Sequence, residues 1–405
     1  MAADPAAKTA AQKKKKKQKL GKPPALLYYP ALALVSLFYR MKYGMTVNRA
    51  PIKAVKGPCF VLAPHLSNKD HILTATALWP RRPTYVLSEH FRTTRLMRFV
   101  CRLMHTVSKK MFCSDARAVM GIIRAVKEGN TVVLFPEGRL SWYGRSLAVT
   151  EGTAQLVKQL GVPVLTVTSN GAGRTFPKWA KCKRSGKIQI ETAVLLTAEQ
   201  IAAMTVEEIE TAVAGAILHD EEKVLPEVRF KTKDTTLGLD GILWRCPACG
   251  GEYTLNTERG HVRCASCGLD VTLDEYGRFS PNEALQKENI QSVADWYEYC
   301  AGLLDMTQPL TLDVQVSGTD AEGYMQQGIG AGKFTVSPEG FAFAGEMDGK
   351  ADSFFIPLAK VAGFPVTVGD HVDIYRDGRL LWMQPKPDGR KAILLVAYLE
   401  NLRKS

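Results

Sequence analysis

Two groups of residues in this 405-residue sequence have the types and spacing to do chemistry. The first is Ala63-Pro64-His65-Leu66-Ser67-Asn68-Lys69-Asp70, where a histidine and an aspartate stand five positions apart. A histidine takes a proton from an alcohol when its Nε2 faces the substrate and an acceptor holds its Nδ1–H. Asp70 has the chemistry of that acceptor. The same residues admit a plainer reading, in which Ser67-x-x-Asp70 is a capping box, Asp70 only caps a helix, and His65 is a loop residue. The second group is Cys246-Pro-Ala-Cys249 with Cys264-Ala-Ser-Cys267. Two Cys-x-x-Cys turns joined by a hairpin bring four thiolates to one tetrahedral structural Zn²⁺ site, with bonds of about 2.3 Å. Gly250 and Gly268 let the backbone turn there. Four thiolates leave no open coordination position, so no catalysis is assigned to the metal, and His261 is surplus to the set.

The elements around His65 are consistent with either role. An apolar run, Cys59-Phe60-Val61-Leu62, reads as a buried strand that ends just before it, and Ile72 to Leu78 reads as a helix just after. Over residues 51–220 short apolar runs alternate with helical patterns, which is the signature of an α/β layer fold. Strands are expected at 59–63, 83–87, 131–135, 162–168 and 187–191, and helices at 70–79, 91–104, 115–128 and 150–160. Thr197-x-x-Gln200 and Thr205-x-x-Glu208 are capping signals for the helices that close this region.

A further stretch, Thr131-Val-Val-Leu-Phe-Pro-Glu-Gly-Arg-Leu-Ser141, is a short β run that breaks at Pro136-Glu137-Gly138. Taken together, His-x-x-x-x-Asp and Phe-Pro-Glu-Gly resemble the glycerolipid acyltransferase family that makes phosphatidic acid from lysophosphatidic acid, in order and separation. The resemblance covers residues 50–220. It implies a mixed sheet flanked by helices, with His65 as general base and Asp70 as its partner. It also implies an acceptor site beside Glu137 and Gly138, where backbone N–H groups approach a phosphate or hydroxyl closely. The acyl donor is then acyl-CoA or an acyl carrier protein. A thiol leaving group, with a pKa near 8.5, needs no strong general acid, so no covalent acyl-enzyme and no catalytic cofactor is expected.

The sequence departs from that family in three places. The usual Phe-Pro-Glu-Gly-Thr-Arg-Ser has Arg139-Leu140-Ser141 after its glycine, so Leu140 stands at the arginine position. The intermediate Phe-Ile-x-Arg block is here Met111-Phe112-Cys113-Ser114-Asp115, with Arg117 beyond it, and Pro64 replaces an asparagine. Arg139, Arg117 and Arg145 are the candidates to bind the acceptor's phosphate, because a guanidinium fork is bidentate and always charged. Each is equally read as a surface arginine. The acceptor alternatives are glycerol 3-phosphate or another lysolipid. A reading of another class is a catalytically silent lipid-binding scaffold.

Composition bounds the rest. Hydrophobic residues make up 46% and charged residues 23%, which excludes a disordered chain and a multi-span membrane protein. Of the net charge of +13, seven units come from residues 1–22, a polybasic tail expected to be disordered. Residues 23–50 are expected to form a membrane-associating helix at the cytoplasmic face. Its apolar run, Ala25 to Tyr39, is short of the roughly 20 residues that span a bilayer, and lysines flank it for an anionic lipid surface. The aromatic run beside the lysines argues against a nucleic-acid partner. Residues 51–220 are the expected acyltransferase domain, 221–240 a linker, 241–280 the zinc ribbon, and 285–405 a β-rich domain closed by a C-terminal helix, resembling a pleckstrin-homology-like barrel. The five cysteines outside the ribbon lack disulfide spacing, which points to a reducing compartment.

Overall fold

The computed structural model describes residues 21–110, 115–360, 366–367 and 370–404. The polybasic tail and the Met111–Ser114 block therefore lie outside the described residues, apart from the tail's last two positions. The first part of the chain runs α1 (Ala25–Tyr43), β1 (Thr46–Val47), β2 (Phe60–Leu62), α2 (Asp70–Ala77), β3 (Thr84–Ser88), α3 (Arg95–Leu103), β4 (Val107–Lys109), α4 (Ala116–Lys127) and β5 (Val132–Leu134). It continues through α5 (Thr153–Leu160), β6 (Val164–Asn170), α6 (Ala172–Thr175), β7 (Arg184–Ser185), β8 (Gln189–Leu196), α7 (Ala198–Ala203), α8 (Val206–Ile217) and α9 (Glu221–Val224). Seven strands form one sheet in the order β1-β8-β6-β2-β5-β3-β4, and every pair except β6–β8 is parallel.

The alternation along the central strands explains why they read as continuous apolar runs. Val61, Val133 and Leu165 face one core, shared with Tyr28, Leu32, Tyr39 and Tyr43 of α1. Phe60, Leu62, Val132, Leu134 and Val164 face the other, shared with α4, α5 and α8. A parallel sheet covered on both faces requires apolar residues at every position. Thr197 and Thr205 form the expected capping boxes at the starts of α7 and α8.

The α1 helix is continuous through Pro30. It buries the tyrosine face and leaves Leu26 (89%), Leu34 (70%) and Met41 (78%) exposed on the other. No helix among the described residues is long and apolar enough to cross a membrane.

Residues 221–240, expected as a linker, are instead packed. Glu221 is fully buried, as are Phe230 and Leu239, and β9 (Lys231–Thr232) pairs with β7. The segment's polar composition serves long-range bonds: Glu221 accepts from the backbone N–H groups of Gly171 and Gly173 at 2.8 and 3.0 Å. Arg174 and Arg184, in the basic stretch after β6, are spent on the same segment. Arg174 donates to the carbonyl of Leu225, and Arg184 to that of Thr235.

Beyond it, β10 (Leu255–Glu258), β11 (His261–Cys264) and β12 (Asp270–Thr272) form a three-stranded antiparallel sheet. Two helices follow, α10 (Glu283–Lys287) and α11 (Val293–Gly302). The last sheet is antiparallel throughout, in the order β16-β15-β14-β13-β19-β18-β17, with β13 Leu310–Thr319, β14 Met325–Ser337, β15 Gly340–Met347, β16 Lys350–Pro357, β17 Val366–Thr367, β18 His371–Arg376 and β19 Arg379–Pro385. Among the described residues it is an open half-barrel with β16 and β17 at its edges. α12 (Ala392–Lys404) is buried on all sides from Ala392 to Leu399, as a helix wedged between layers must be. One core joins the ribbon, α11, α12 and the last sheet, and it takes in Trp142 and Trp179 of the first part. The two halves of the chain thus share buried side chains.

Candidate active site

His65 lies three residues past the end of β2, and Glu137 three residues past the end of β5. These strands are parallel neighbours in register, Leu62 opposite Leu134. That pairing brings the two sequence motifs together at the carboxyl ends of central strands, where open α/β sheets place their ligands.

His65 and Asp70 do meet: His65 Nδ1 and Asp70 Oδ2 are 2.9 Å apart. The same carboxylate oxygen accepts the backbone N–H groups of Leu66 and Ser67, each at 2.9 Å. The capping box is not formed: α2 starts at Asp70 with Lys69 as its N-cap and no side-chain cap bond, although Asp70 does hold the N–H of Ser67. The Ser67 hydroxyl, however, accepts from the N–H of Lys69 rather than that of Asp70. Burial pushes the Asp70 carboxyl up, while His65 and the two backbone N–H groups pull it back down. The imidazole stacks on Phe135 with ring centroids 4.4 Å apart, and its side chain is 24% exposed against 4% for Asp70. With Nδ1 on Asp70 and one face on Phe135, Nε2 is the ring nitrogen left for a substrate.

Glu137 faces inward, 5% exposed. Its Oε1 accepts the N–H of His65 and its Oε2 the N–H of Leu147, both at 2.6 Å. Burial pushes its carboxyl up to about 8, against the pull of those two N–H groups. Expected beside the acceptor, Glu137 instead fastens the loop of His65 to the loop that follows β5. The next residue explains its glycine directly: Gly138 has φ of +75°, and a Cβ there would lie 3.1 Å from Thr150 Cγ2. A third bond ties the loops, from the N–H of Ser141 to the carbonyl of His65 at 2.8 Å.

Two of the expected phosphate arginines are engaged elsewhere. Arg139 pairs with Glu400 of α12 and lies over Trp142, 4.1 Å from its ring centroid. Arg145 is a hub for three carboxylates. Its Nε donates to Asp220 at 3.0 Å, its Nη2 to Asp295 at 2.6 Å, and its Nη1 to Glu298 at 2.7 Å. Arg117 is exposed in the first turn of α4. The physical reason for the correction is that acids far along the chain fold back onto this loop. Their distance in sequence gives no local signal that pairs them. Of the site residues the sequence reading missed, Ser141 and Phe135 lie inside the quoted motif. Tyr297 of α11 stacks on Tyr143 with ring centroids 4.3 Å apart.

The ribbon cysteines also come together. Sγ of Cys246 and Cys267 are 3.7 Å apart, as are those of Cys249 and Cys264, and all four lie within 4.8 Å of one another. A tetrahedron with metal–sulfur bonds of about 2.3 Å has edges of about 3.8 Å, so the set fits a metal. The backbone N–H groups of Ala248 and Cys249 point at Cys246 Sγ, and those of Ser266 and Cys267 at Cys264 Sγ, as suits thiolate ligands.

Among solved structures, the 1-acyl-sn-glycerophosphate (LPA) acyltransferase PlsC of Thermotoga maritima is similar to this chain at 21% identity and a TM-score of 0.39, over 48% of this chain and 74% of that one. The family model described as Acyltransferase matches residues 44–170, a span that contains β2, β5, the His65–Asp70 pair and the Pro136-Glu137-Gly138 turn. Residues 44–170 of this chain are thus similar to the acyltransferase family.

Proposed function

We propose that the protein is a membrane-associated O-acyltransferase. It moves an acyl chain from the thioester of coenzyme A or acyl carrier protein to the free hydroxyl of a lysophosphatidate-like acceptor. The observation that carries this reading is the 2.9 Å bond from His65 Nδ1 to Asp70, which leaves Nε2 available at the carboxyl end of the sheet. Nε2 takes the proton of the acceptor hydroxyl as the oxygen attacks the thioester carbon, and Asp70 stabilises the imidazolium that forms. The carbon–sulfur bond then breaks, and the thiolate leaves without a strong general acid. A ring fixed at Nδ1 and stacked on Phe135 loses little freedom at that step.

Acyl transfer by the purified protein to detergent-dispersed acceptors, compared with His65→Ala and Asp70→Asn, tests it. Full turnover in both variants would sink the mechanism. With Arg139 and Arg145 held by carboxylates, the acceptor panel includes glycerol 3-phosphate and a lysolipid without a terminal phosphate. Thioester consumption with none of them, alongside intact liposome binding, would favour the silent scaffold.

The lipid contact is assigned to α1 and α3. The outer face of α1 presents Leu26, Leu34 and Met41, and α3 presents Leu96 (68%) and Phe99 (60%) between Arg95, Arg98 and Arg102. The segment leading into α1 lies against the turn that follows α3, since a Cβ on Gly21 would be 3.0 Å from the ring of His105. An apolar face flanked by arginines suits an anionic lipid interface. Replacing Leu26, Leu34 and Met41 together by serine should release the protein from anionic vesicles in a sedimentation assay, and unchanged binding would move the contact elsewhere. The metal at the four cysteines is assigned as one structural Zn²⁺, checked by metal content per chain.

A further inference from the structure

We propose that Arg145 is a positioning residue for His65, through which the C-terminal half of the chain sets the geometry of the acid–base pair. This rests on the acyltransferase reading of His65. The observations form a continuous path of direct contacts. Arg145 grips Asp295 and Glu298, one turn apart on α11, and Asp220 at the head of α9. Two residues before it, Tyr143 stacks on Tyr297 of the same helix with an interplanar angle of 16°. Two residues after it, the N–H of Leu147 donates to Glu137 Oε2, and the other oxygen of that carboxylate holds the N–H of His65. Ser141 closes the loop onto the carbonyl of His65. Both backbone polar groups of His65 are thus bonded to a segment that α11 holds from the far side.

The helix end of the path is equally fixed. Asp295 divides its carboxylate: Oδ1 takes Arg145, while Oδ2 takes the N–H groups of Gln291 and Ser292 and the Ser292 hydroxyl, which caps α11. Trp296 is fully buried and donates from Nε1 to the carbonyl of Arg245 at 2.9 Å. Arg245 immediately precedes Cys246. α11 therefore has no freedom to follow the loop, and the loop must follow α11. Arg145 touches neither His65 nor Asp70, so it acts only through backbone placement. A guanidinium satisfies three carboxylates with three separate N–H groups in one plane, and a lysine ammonium does not reproduce that fork.

The test compares wild type with Arg145→Gln, Arg145→Lys and Glu298→Gln in the full chain. The kcat and KM of steady-state acyl transfer, and amide exchange at His65, Ser141 and Leu147, are the readouts. Arg145→Gln is expected to lower kcat about 10- to 100-fold, the scale of a misplaced reacting group, with KM for either substrate nearly unchanged. It is also expected to speed exchange at Ser141 and Leu147. Arg145→Lys should recover part of kcat. Glu298→Gln removes one half-exposed arm and should cost about two- to fivefold, the scale of an exposed ion pair. Should Arg145→Gln not fold, Glu298→Gln alone decides: wild-type kcat and exchange there would overturn the proposal. A raised KM at unchanged kcat in Arg145→Gln would also overturn it, by returning Arg145 to acceptor binding. Exchange needs no turnover. An inactive wild type whose Ser141 and Leu147 amides are loosened in Arg145→Gln would remove the acyltransferase reading and leave the path standing, whereas unaltered exchange removes the path.

Discussion

The two loops that meet at the candidate site are held by opposite means. Residues 63–70 are organised from within, since Asp70 Oδ2 takes the Nδ1 of His65 and the N–H groups of Leu66 and Ser67, all within five positions. Residues 136–147 have one internal tie, from Leu147 to Glu137, and are otherwise organised from outside, by residues 219–221 and by Asp295, Tyr297, Glu298 and Glu400 from helices about 150 to 260 residues further along. The first loop holds its side chains through Asp70, and leans on the second loop only at the N–H and carbonyl of His65, which Glu137 and Ser141 take. The second depends for most of its side-chain ties on residues far along the chain. The proposed acid–base pair is thus encoded locally, and its alignment with the second loop at long range.

The sharpest way to break that contrast is at the local loop. His65→Ala should lower kcat by about 10²- to 10⁴-fold, as loss of a general base does, with Asp70→Asn falling in the same range. Acyl-transfer rates near wild type would show that the chemistry lies elsewhere. Removing the metal probes the long-range side. Chelation, or Cys264→Ser, should loosen α11 and residues 139–147 in amide exchange while Leu66 and Ser67 stay protected, and should reduce turnover about tenfold through misalignment. Equal loosening of both loops would erase the distinction.

Glu137 is the joint between them. Glutamine in its place offers one acceptor oxygen where two N–H groups need one each, so a loss of about tenfold in kcat is expected. Its stability signature has a defined sign. Burial raises the folded carboxyl from 4.5 to about 8, so the folded chain keeps a proton that the unfolded chain has already lost. Relative to Glu137→Gln, the wild type should be most stable below pH 4.5 and lose that advantage as pH rises toward about 8, measured as the difference in Tm. A pH-independent difference would contradict the burial. The smallest effect is expected at Arg117, exposed and outside both loops, where alanine should change kcat by less than about twofold. A larger loss would restore it to the acceptor site.

What could be read in advance follows the same division. The strands at 59–63 and 131–135 and the capping boxes at Thr197 and Thr205 are legible because each is specified by residues a few positions apart. The ribbon cysteines are legible because a metal site demands fixed local turns, Cys246 with Cys249 and Cys264 with Cys267. Arg139 and Arg145 were open to misreading because a guanidinium looks the same in sequence whether it faces a phosphate or a buried carboxylate. Residues 221–240 looked like a linker because polar composition does not distinguish solvent from buried backbone N–H groups, which Glu221 in fact meets at Gly171 and Gly173.

The sequence by itself determined the contact of His65 with Asp70, the grouping of cysteines and the alternation that makes a parallel sheet, since each depends on spacing along a strand, turn or helix. Only the tertiary structure decided where Glu137, Arg139 and Arg145 direct their charges. A charged group buried or half-buried in a shared core takes whichever opposite charge or N–H group the packing brings to it, and that packing joins positions that have no neighbourhood in the chain.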